Sequence, residues 1–513
     1  MLKQIVLSLL FGGVAVFSYA PFHIWPLAFV SFAGFLWLIT DKSKKRALLI
    51  GISWGVGYFL SGIHWVYISI KQYGEVPTSV AIIILGLLVT YLALYPMLFA
   101  WLLRASDRFA TRFSIKQLVL LAPILWQLTE FLRGYILTGF AWLELGYSQL
   151  DSPLRGYFPL VGINGVTLML TMCCGLCVYC LYNIKRFSYN KHIFGAIIAL
   201  FSIIIAPIPF NLINWTTIDH SRSAHFTLIQ GNILQSIRWT TEQLNKTLQT
   251  YASLTEKNLG KDNIIIWSEA SITDYEINQQ PFLQYLDNEA RANGSEIAVG
   301  IIDYRIGDNG YQTNADIYNT LLVLGEKTPY KYPNTNRYQK HHLVPFGEFT
   351  PFESLLEPIA DVLDIPMSSL QAGAEKQPQL KMKGFKFTTA ICYEVILSNL
   401  IHKNFTSDTD FLLTVSNDAW FGDSIGPKQH LQMAQARALE FGRPMIRSTN
   451  TGITAIIDHH GKVLVKLPQF ETNILNYTLS PTIGLTPYAK FGNLPYYLII
   501  SLLFISFFIK KRR

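Results

Sequence analysis

Thr388-Thr389-Ala390-Ile391-Cys392-Tyr393-Glu394 is the stretch on which the reading of this chain turns. It is the end of a short β-type run, and a thiol stands where the run stops. Cys392 is the one cysteine of five outside an apolar, membrane-like stretch. The other four, Cys173, Cys174, Cys177 and Cys180, crowd Leu168–Tyr182 with no histidine or charge beside them. They read as small polarizable residues packed between membrane helices, and no metal site or disulfide framework is expected. Upstream of Cys392, a carboxylate closes the apolar run Ile264-Ile265-Ile266-Trp267-Ser268-Glu269. A lysine opens Lys340-His341-His342-Leu343-Val344-Pro345-Phe346-Gly347-Glu348. A thiol needs a base to take its proton or a cation to hold the anion. Glu269 suits the first role and Lys340 the second, with Glu348 or Glu394 able to fix the lysine or orient the base. His341 and His342 offer a competing cysteine–histidine dyad.

The rest of the chain says where this chemistry takes place. Half of its 513 residues are hydrophobic and 15% are charged, too apolar for an ordinary soluble enzyme. The net charge of +8 is unevenly spread. Residues 1–213 with the tail 510–513 carry a net +13, and the remainder a net −5. The basic excess follows the apolar part, and no clustered basic face for nucleic acid is seen. Hydropathy predicts spans near 4–20, 24–40, 47–70, 78–103, 117–133, 157–183 and 193–212, with an eighth at 493–509. With the N-terminus inside, the inner segments carry sixteen Lys and Arg, whereas the outer loops carry Lys71, Arg133 and Arg155. Seven spans then leave the segment from about 214 to 492 on the outer side. The expected organisation is a membrane domain over 1–213, an outer catalytic domain over 214–492, and an eighth helix with a basic cytoplasmic tail over 493–513. Within the membrane part, Glu130 and Glu144 are functional candidates because ionisable groups at that depth are expensive. A plain Glu130–Arg133 pair at i,i+3 is the alternative. His64 with Trp65 reads as an interfacial belt.

The outer segment has an α/β texture. Predicted strands are His225–Ile229, Asn263–Trp267, Glu296–Ile302, Tyr318–Leu324, Phe385–Ile391, Phe411–Ser416 and Thr451–Asp458. Helices are predicted over Thr241–Asn258, Pro281–Asn293 and Gln429–Glu440. Runs apolar on both faces, such as Ile264-Ile265-Ile266, indicate strands covered by helices. In Phe349–Leu370, Leu355, Leu356, Ile359, Val362 and Leu363 form an amphipathic stripe that fits either the domain core or a lid at the bilayer surface.

The order Glu269, Lys340, Cys392 resembles the carbon–nitrogen hydrolase (nitrilase) superfamily, which sets a Glu–Lys–Cys triad on an αββα sandwich. Further motifs are similar to its membrane-bound branch, the apolipoprotein N-acyltransferases. They are Gly231-Asn232-Ile233, Trp239, Lys340–Glu348, Cys392-Tyr393-Glu394, Ser416-Asn417-Asp418-Ala419-Trp420-Phe421-Gly422, Leu137-Thr138-Gly139-Phe140 and Gly146-Tyr147-Ser148-Gln149. One departure is Ser268, where that family usually has proline; the carboxylate itself is unchanged. The resemblance implies an inner-membrane enzyme with its active site on the periplasmic face and no cofactor. It implies a phospholipid acyl donor, typically phosphatidylethanolamine, whose chain is loaded on Cys392 as a thioester. The acceptor is the α-amine of a diacylglyceryl-cysteine apolipoprotein. In these terms Glu269 is the base, Lys340 and Glu348 stabilise the intermediate, Tyr393 and Glu394 flank the nucleophile, and Trp239 lies near the substrate entrance. A membrane-tethered amidase acting on a soluble amide is the alternative enzyme. A transporter would need paired ionisable groups or broken helices at the midplane, and Glu130 alone does not supply them.

Overall fold

Phe385–Ile391 forms a strand, buried at every position but Lys386. The computed structural model that contains it describes residues 1–74, 76–106, 113–183, 191–260, 262–306, 315–351 and 370–509. The strand lies in a six-stranded sheet between its parallel neighbour Phe411–Ser416 and the antiparallel Leu380–Met382. Met445–Thr449 continues this sheet in parallel, and Ala455–Ile457 and Val463–Lys466 complete it antiparallel. A second sheet runs in the order Asn473–Leu479, Ala224–Gln230, Asn263–Ile266, Glu296–Ile306, Ala315–Leu324, Arg337–Gln339, with Ile272–Tyr275 beside Glu296–Ile306.

The period of two along each strand brings the sheets face to face. Ile264 and Ile266 join Phe387, Phe411, Leu413 and Val415 in a core shared by both sheets. Ile265 and Trp267 point the other way, into a second core with Leu283, Leu286 and Ala290 of the helix Gln280–Asn293. Tyr251 of the helix Thr241–Glu256 lies in that same core. Both faces of this strand are thus covered, and its sequence has no polar alternation for that reason. Each large aliphatic side chain buried this way contributes roughly 1.5–3 kcal/mol. The helices Ser398–Asn404 and Gly426–Phe441 pack on the other sheet. The layers are helix, sheet, sheet, helix, as expected.

The chain divides into two units, one of 1–67, 78–215 and 486–513, the other of 68–77 and 216–485. In the first unit, the helices Thr78–Ala105, Pro153–Asn183 and Lys191–Phe210 are long and apolar enough to cross a bilayer. Lys44–Gly62 and Val66–Gln72, bent by 62°, make a fourth if counted together. Leu2–Ser18, Pro26–Ile39 and Leu494–Phe508 are apolar but shorter. Three helices, or four with the bent pair, thus reach full spanning length among the described residues, and the other apolar runs form shorter helices. Pro26–Ile39 and Leu494–Phe508 each carry proline in the first turn, where it is tolerated. A helix of some 14 residues rises only about 21 Å, against about 30 Å of hydrocarbon. The run 117–133 forms a π turn, Gln117–Leu121, leading into Ala122–Tyr135.

Small residues set the packing in this unit. A Cβ on Gly12 would stand 2.0 Å from Trp54 O, and one on Gly57 2.1 Å from Leu9 O, so two helices touch backbone to backbone. Glu130 and Arg133 are both buried and 3.8 Å apart. Arg133 also donates to Phe140 O and Trp142 O, each at 2.6 Å, and Glu130 accepts from Leu145 N at 3.2 Å. The pair therefore pins a loop, a task beyond an ordinary helix-surface pair. The stripe Leu355, Leu356, Ile359, Val362 and Leu363 lies outside the described residues.

Candidate active site

Strand ends deliver the candidate residues of the second unit to one place. Glu269 follows Asn263–Ile266, Lys340 follows Arg337–Gln339, and Cys392 follows Phe385–Ile391. The chain turns sharply at the thiol. Cys392 has φ +55°, in the left-handed region, and opens a 3₁₀ turn over Cys392–Ile396. That backbone costs a non-glycine residue roughly 1–2 kcal/mol. Such strain persists where surrounding structure enforces it.

Glu394 supplies part of that enforcement. Its Oε2 accepts from Ile391 N at 2.7 Å and from the Tyr338 hydroxyl at 3.1 Å. Its Oε1 accepts from His341 N at 2.7 Å and His342 N at 3.0 Å. One buried carboxylate thus ties the turn that carries the thiol to the segment that carries the lysine. Burial raises its pKa, against the pull of those backbone amides and of Lys340.

Lys340 is buried between two carboxylates. Its Nζ donates to Glu348 Oε1 at 2.8 Å and to Glu269 Oε1 at 3.2 Å. Burial disfavours the ammonium, but Glu269 and Glu348 outweigh it and hold the lysine well above its usual range. Asn319 Nδ2 bridges the same two carboxylates, at 2.9 Å from Glu269 and 3.2 Å from Glu348. The second oxygen of Glu269 accepts from Asn417 N at 2.8 Å, and that of Glu348 from Val344 N at 2.9 Å. Gly300 makes room for the turn at Glu269, since a Cβ there would stand 2.3 Å from Ser268 O.

Cys392 is partly buried and within electrostatic reach of this set. Burial pushes its thiol above the usual range, the Glu269 charge adds to this, and Lys340 opposes it. The resting group is a neutral thiol, so its proton has to leave as the sulfur attacks. The competing histidines are otherwise engaged. His341 Nδ1 is 2.7 Å from Gly373 O, and the His342 ring stacks on Tyr393 at 5.5 Å. Burial, then Lys340, lowers His342 to about 4. Neither imidazole is hydrogen-bonded to Cys392 among the described residues. Trp239 is 39% exposed. It adjoins the buried Arg238, whose guanidinium lies 5.6 Å from its ring and donates to the carbonyls of Glu269 and Ala270. Trp239 is thus an exposed ring linked to the Glu269 turn through Arg238.

Sequence reading missed Asn319, the Asn417 amide, and a buried group of Asp418, His430 and Arg447. Asn417 and Asp418 lie in a run whose pattern had been noted, without a role for either. Asn319 sits inside an apolar strand and gave no signal.

A helix–sheet–sheet–helix sandwich with a glutamate, a lysine and a cysteine at its strand ends defines the carbon–nitrogen hydrolase class. The family model for carbon-nitrogen hydrolase matches residues 226–488, and that for the apolipoprotein N-acyltransferase N-terminal domain matches residues 11–176. A protein named apolipoprotein N-acyltransferase from Vibrio cholerae is 43% identical over 98% of this chain and 96% of its own length. Its namesakes from Photobacterium profundum and Haemophilus influenzae are 41% identical, over 100% and 98% of this chain and 96% and 93% of theirs. The chain belongs to the apolipoprotein N-acyltransferase family. Full-length likeness to such proteins favours acyl transfer over the tethered amidase.

Proposed function

We propose that this enzyme moves an acyl chain from a membrane phospholipid, by preference phosphatidylethanolamine, to the α-amine of a diacylglyceryl-cysteine apolipoprotein, through a thioester on Cys392. The observation that carries the reading is the buried ammonium of Lys340 held by Glu269 and Glu348 within reach of the thiol. Glu269 takes the thiol proton as sulfur adds to the ester carbonyl. Two of the three ammonium hydrogens of Lys340 go to the carboxylates, and the third serves the oxyanion. The carbon–oxygen bond then breaks, and the lysophospholipid oxygen leaves with the proton from Glu269. In the second half, the acceptor amine adds to the thioester and gives a proton to Glu269. The carbon–sulfur bond breaks, and the thiol regains its proton. No step calls for a cofactor. Glu348 keeps the lysine charged, Tyr393 and Glu394 flank and fix the nucleophile, and Trp239 borders the substrate entrance.

A thioester lets the spent lipid leave before the acceptor enters, which gives ping-pong kinetics. We place the catalytic segment 214–492 on the periplasmic face of the inner membrane, with membrane domains over 1–213 and 493–513 that cross it eight times. The sixteen-to-three bias of inner over outer positive charges supports this topology. The shorter apolar helices would then cross with flanking residues reaching the interfaces.

The test is to incubate the purified full chain with acyl-labelled phosphatidylethanolamine. Hydroxylamine-labile label is expected on Cys392, transferable to a diacylglyceryl peptide and absent from Cys392→Ala. Substantial turnover by Cys392→Ala would remove the nucleophile assignment. Release of label as free acid, with none passed to the amine, would point to the tethered hydrolase instead.

A further inference from the structure

Behind the thiol lies a buried polar group that the steps above do not use. His430, on the helix Gly426–Phe441, is fully buried, as are Asp418 and Arg447. Its Nε2 is 3.2 Å from the carbonyl oxygen of Cys392. Its Nδ1 is 3.1 Å from Arg447 Nη2 and 3.0 Å from Asp418 Oδ1. Arg447 Nη2 also donates to Asp418 Oδ2 at 2.6 Å, and Ser416 Oγ donates to Asp418 Oδ1 at 2.6 Å. Strand register assembles the group. Met445–Thr449 pairs in parallel with Phe411–Ser416, which sets Arg447 opposite Thr414, just before Asp418.

Burial and the neighbouring Arg447 lower the histidine, against the pull of Asp418 and of the Cys392 carbonyl. The position of its ring hydrogen follows from its partners. A carbonyl has no hydrogen to give, so a bare Nε2 would set lone pair against lone pair at 3.2 Å. Nδ1 meets both a donor, Arg447 Nη2, and an acceptor, Asp418 Oδ1, whereas Nε2 meets an acceptor, so a hydrogen on Nε2 is the one the Cys392 contact demands.

We infer that His430 is a positioning residue for the nucleophile: its Nε2–H holds the Cys392 carbonyl, and Arg447 with Asp418 fixes the ring. The inference rests on Cys392 being the nucleophile proposed above. The peptide group is planar, so a clamp on the Cys392 carbonyl also sets the direction of the following N–H. It holds the left-handed backbone of Cys392 at its carbonyl, as Glu394 holds the Ile391 N–H before it, and so places the sulfur toward Glu269 and Lys340.

The test compares His430→Leu, which removes the donor, with His430→Gln, whose amide N–H falls where Nε2–H lies. Two readouts use the full chain in detergent. One is the rate of iodoacetamide alkylation of Cys392, followed by mass spectrometry. The other is single-turnover loading from labelled phosphatidylethanolamine. In His430→Leu both rates are expected to fall about tenfold or more, the loss of one hydrogen bond, with the KM for phospholipid unchanged. His430→Gln is expected to restore both to within about threefold of the parent. Parent-like or faster alkylation in His430→Leu would overturn the inference, and so would His430→Gln as slow as His430→Leu. If His430→Leu does not fold, His430→Gln decides alone: alkylation within about threefold of the parent supports the clamp, and a tenfold loss rejects it. Absence of acyl label from the parent, with the alkylation pattern intact, would reject the acyl-transfer proposal and leave the clamp standing.

Discussion

Arg337 and Lys340 stand three residues apart on one sheet edge, and each is a buried cation between two carboxylates. Arg337 donates through Nη1 to Glu276 and Asp303, at 2.8 and 2.9 Å, and through Nη2 to Glu276 at 2.9 Å. Its Nε donates to Asn334 O, and Tyr330 adds a hydroxyl on Glu276 at 2.9 Å. Lys340 gives one hydrogen each to Glu269 and Glu348, and a thiol lies within its field. The planar guanidinium spends four of its five hydrogens, in one plane, on a structural cluster. The ammonium spends two of its three beside the thiol. Residue type, more than burial or carboxylate number, separates a structural ion cluster from a reactive one here.

The sharpest way to break this comparison is Lys340→Arg. It keeps the charge and spends it on a fork that the site was not built for. Acyl loading is expected to fall by at least about a hundredfold, the scale of losing one oxyanion donor. Near-normal loading would show that charge alone is enough. Arg337→Met should do the reverse. It leaves the buried Glu276 without its cation, Asp303 keeping Arg305 at 2.8 Å, and should cost about 3–5 kcal/mol of stability. Loading by the fraction that stays folded should remain within a few-fold of the parent. Denaturant unfolding together with single-turnover loading reads both quantities, and a hundredfold rate loss in folded Arg337→Met would erase the distinction.

The smallest effect concerns His342, within the field of Lys340. Its folded value of about 4 lies below the ordinary 6.5. As pH falls, the unfolded chain takes the proton first. The stability linked to neutral His342 is therefore complete above about pH 6.5, is lost on the way down to about 4, and changes little below. His459, also lowered to about 4, adds in the same window. His342→Gln should flatten the fall of Tm across that range; an unchanged slope would mean that His342 is not held neutral.

What sequence could reveal follows from the same physics. The Ile264-Ile265-Ile266 run was readable because a strand covered on both faces has to be apolar throughout. Met445–Thr449, just as buried, was not read as a strand, because Arg447 stands inside it. That charge is tolerated only through Asp418, a partner on another strand connection that no local pattern reveals. Arg337–Gln339 was missed for a like reason. The triad was legible as an ordered set of residue types with a family resemblance. Asn319 was not, since an amide within Ala315–Leu324 acquires its purpose only when Glu269 and Glu348 arrive from elsewhere. Hydropathy located the apolar runs of the first unit, but a window average does not show where a run bends or changes helix type, as at the 62° break after Gly62 and the π turn Gln117–Leu121.

The four bonds of Glu394 have a consequence for selectivity. Because one carboxylate grips Ile391, Tyr338, His341 and His342 together, the sulfur and the lysine cannot be drawn apart without breaking the grip. The machinery is preassembled, so a correct substrate cannot be rewarded by completing it, as an induced-fit enzyme would do. Discrimination between one lipid and another is therefore expected on the way in, by what is allowed to approach.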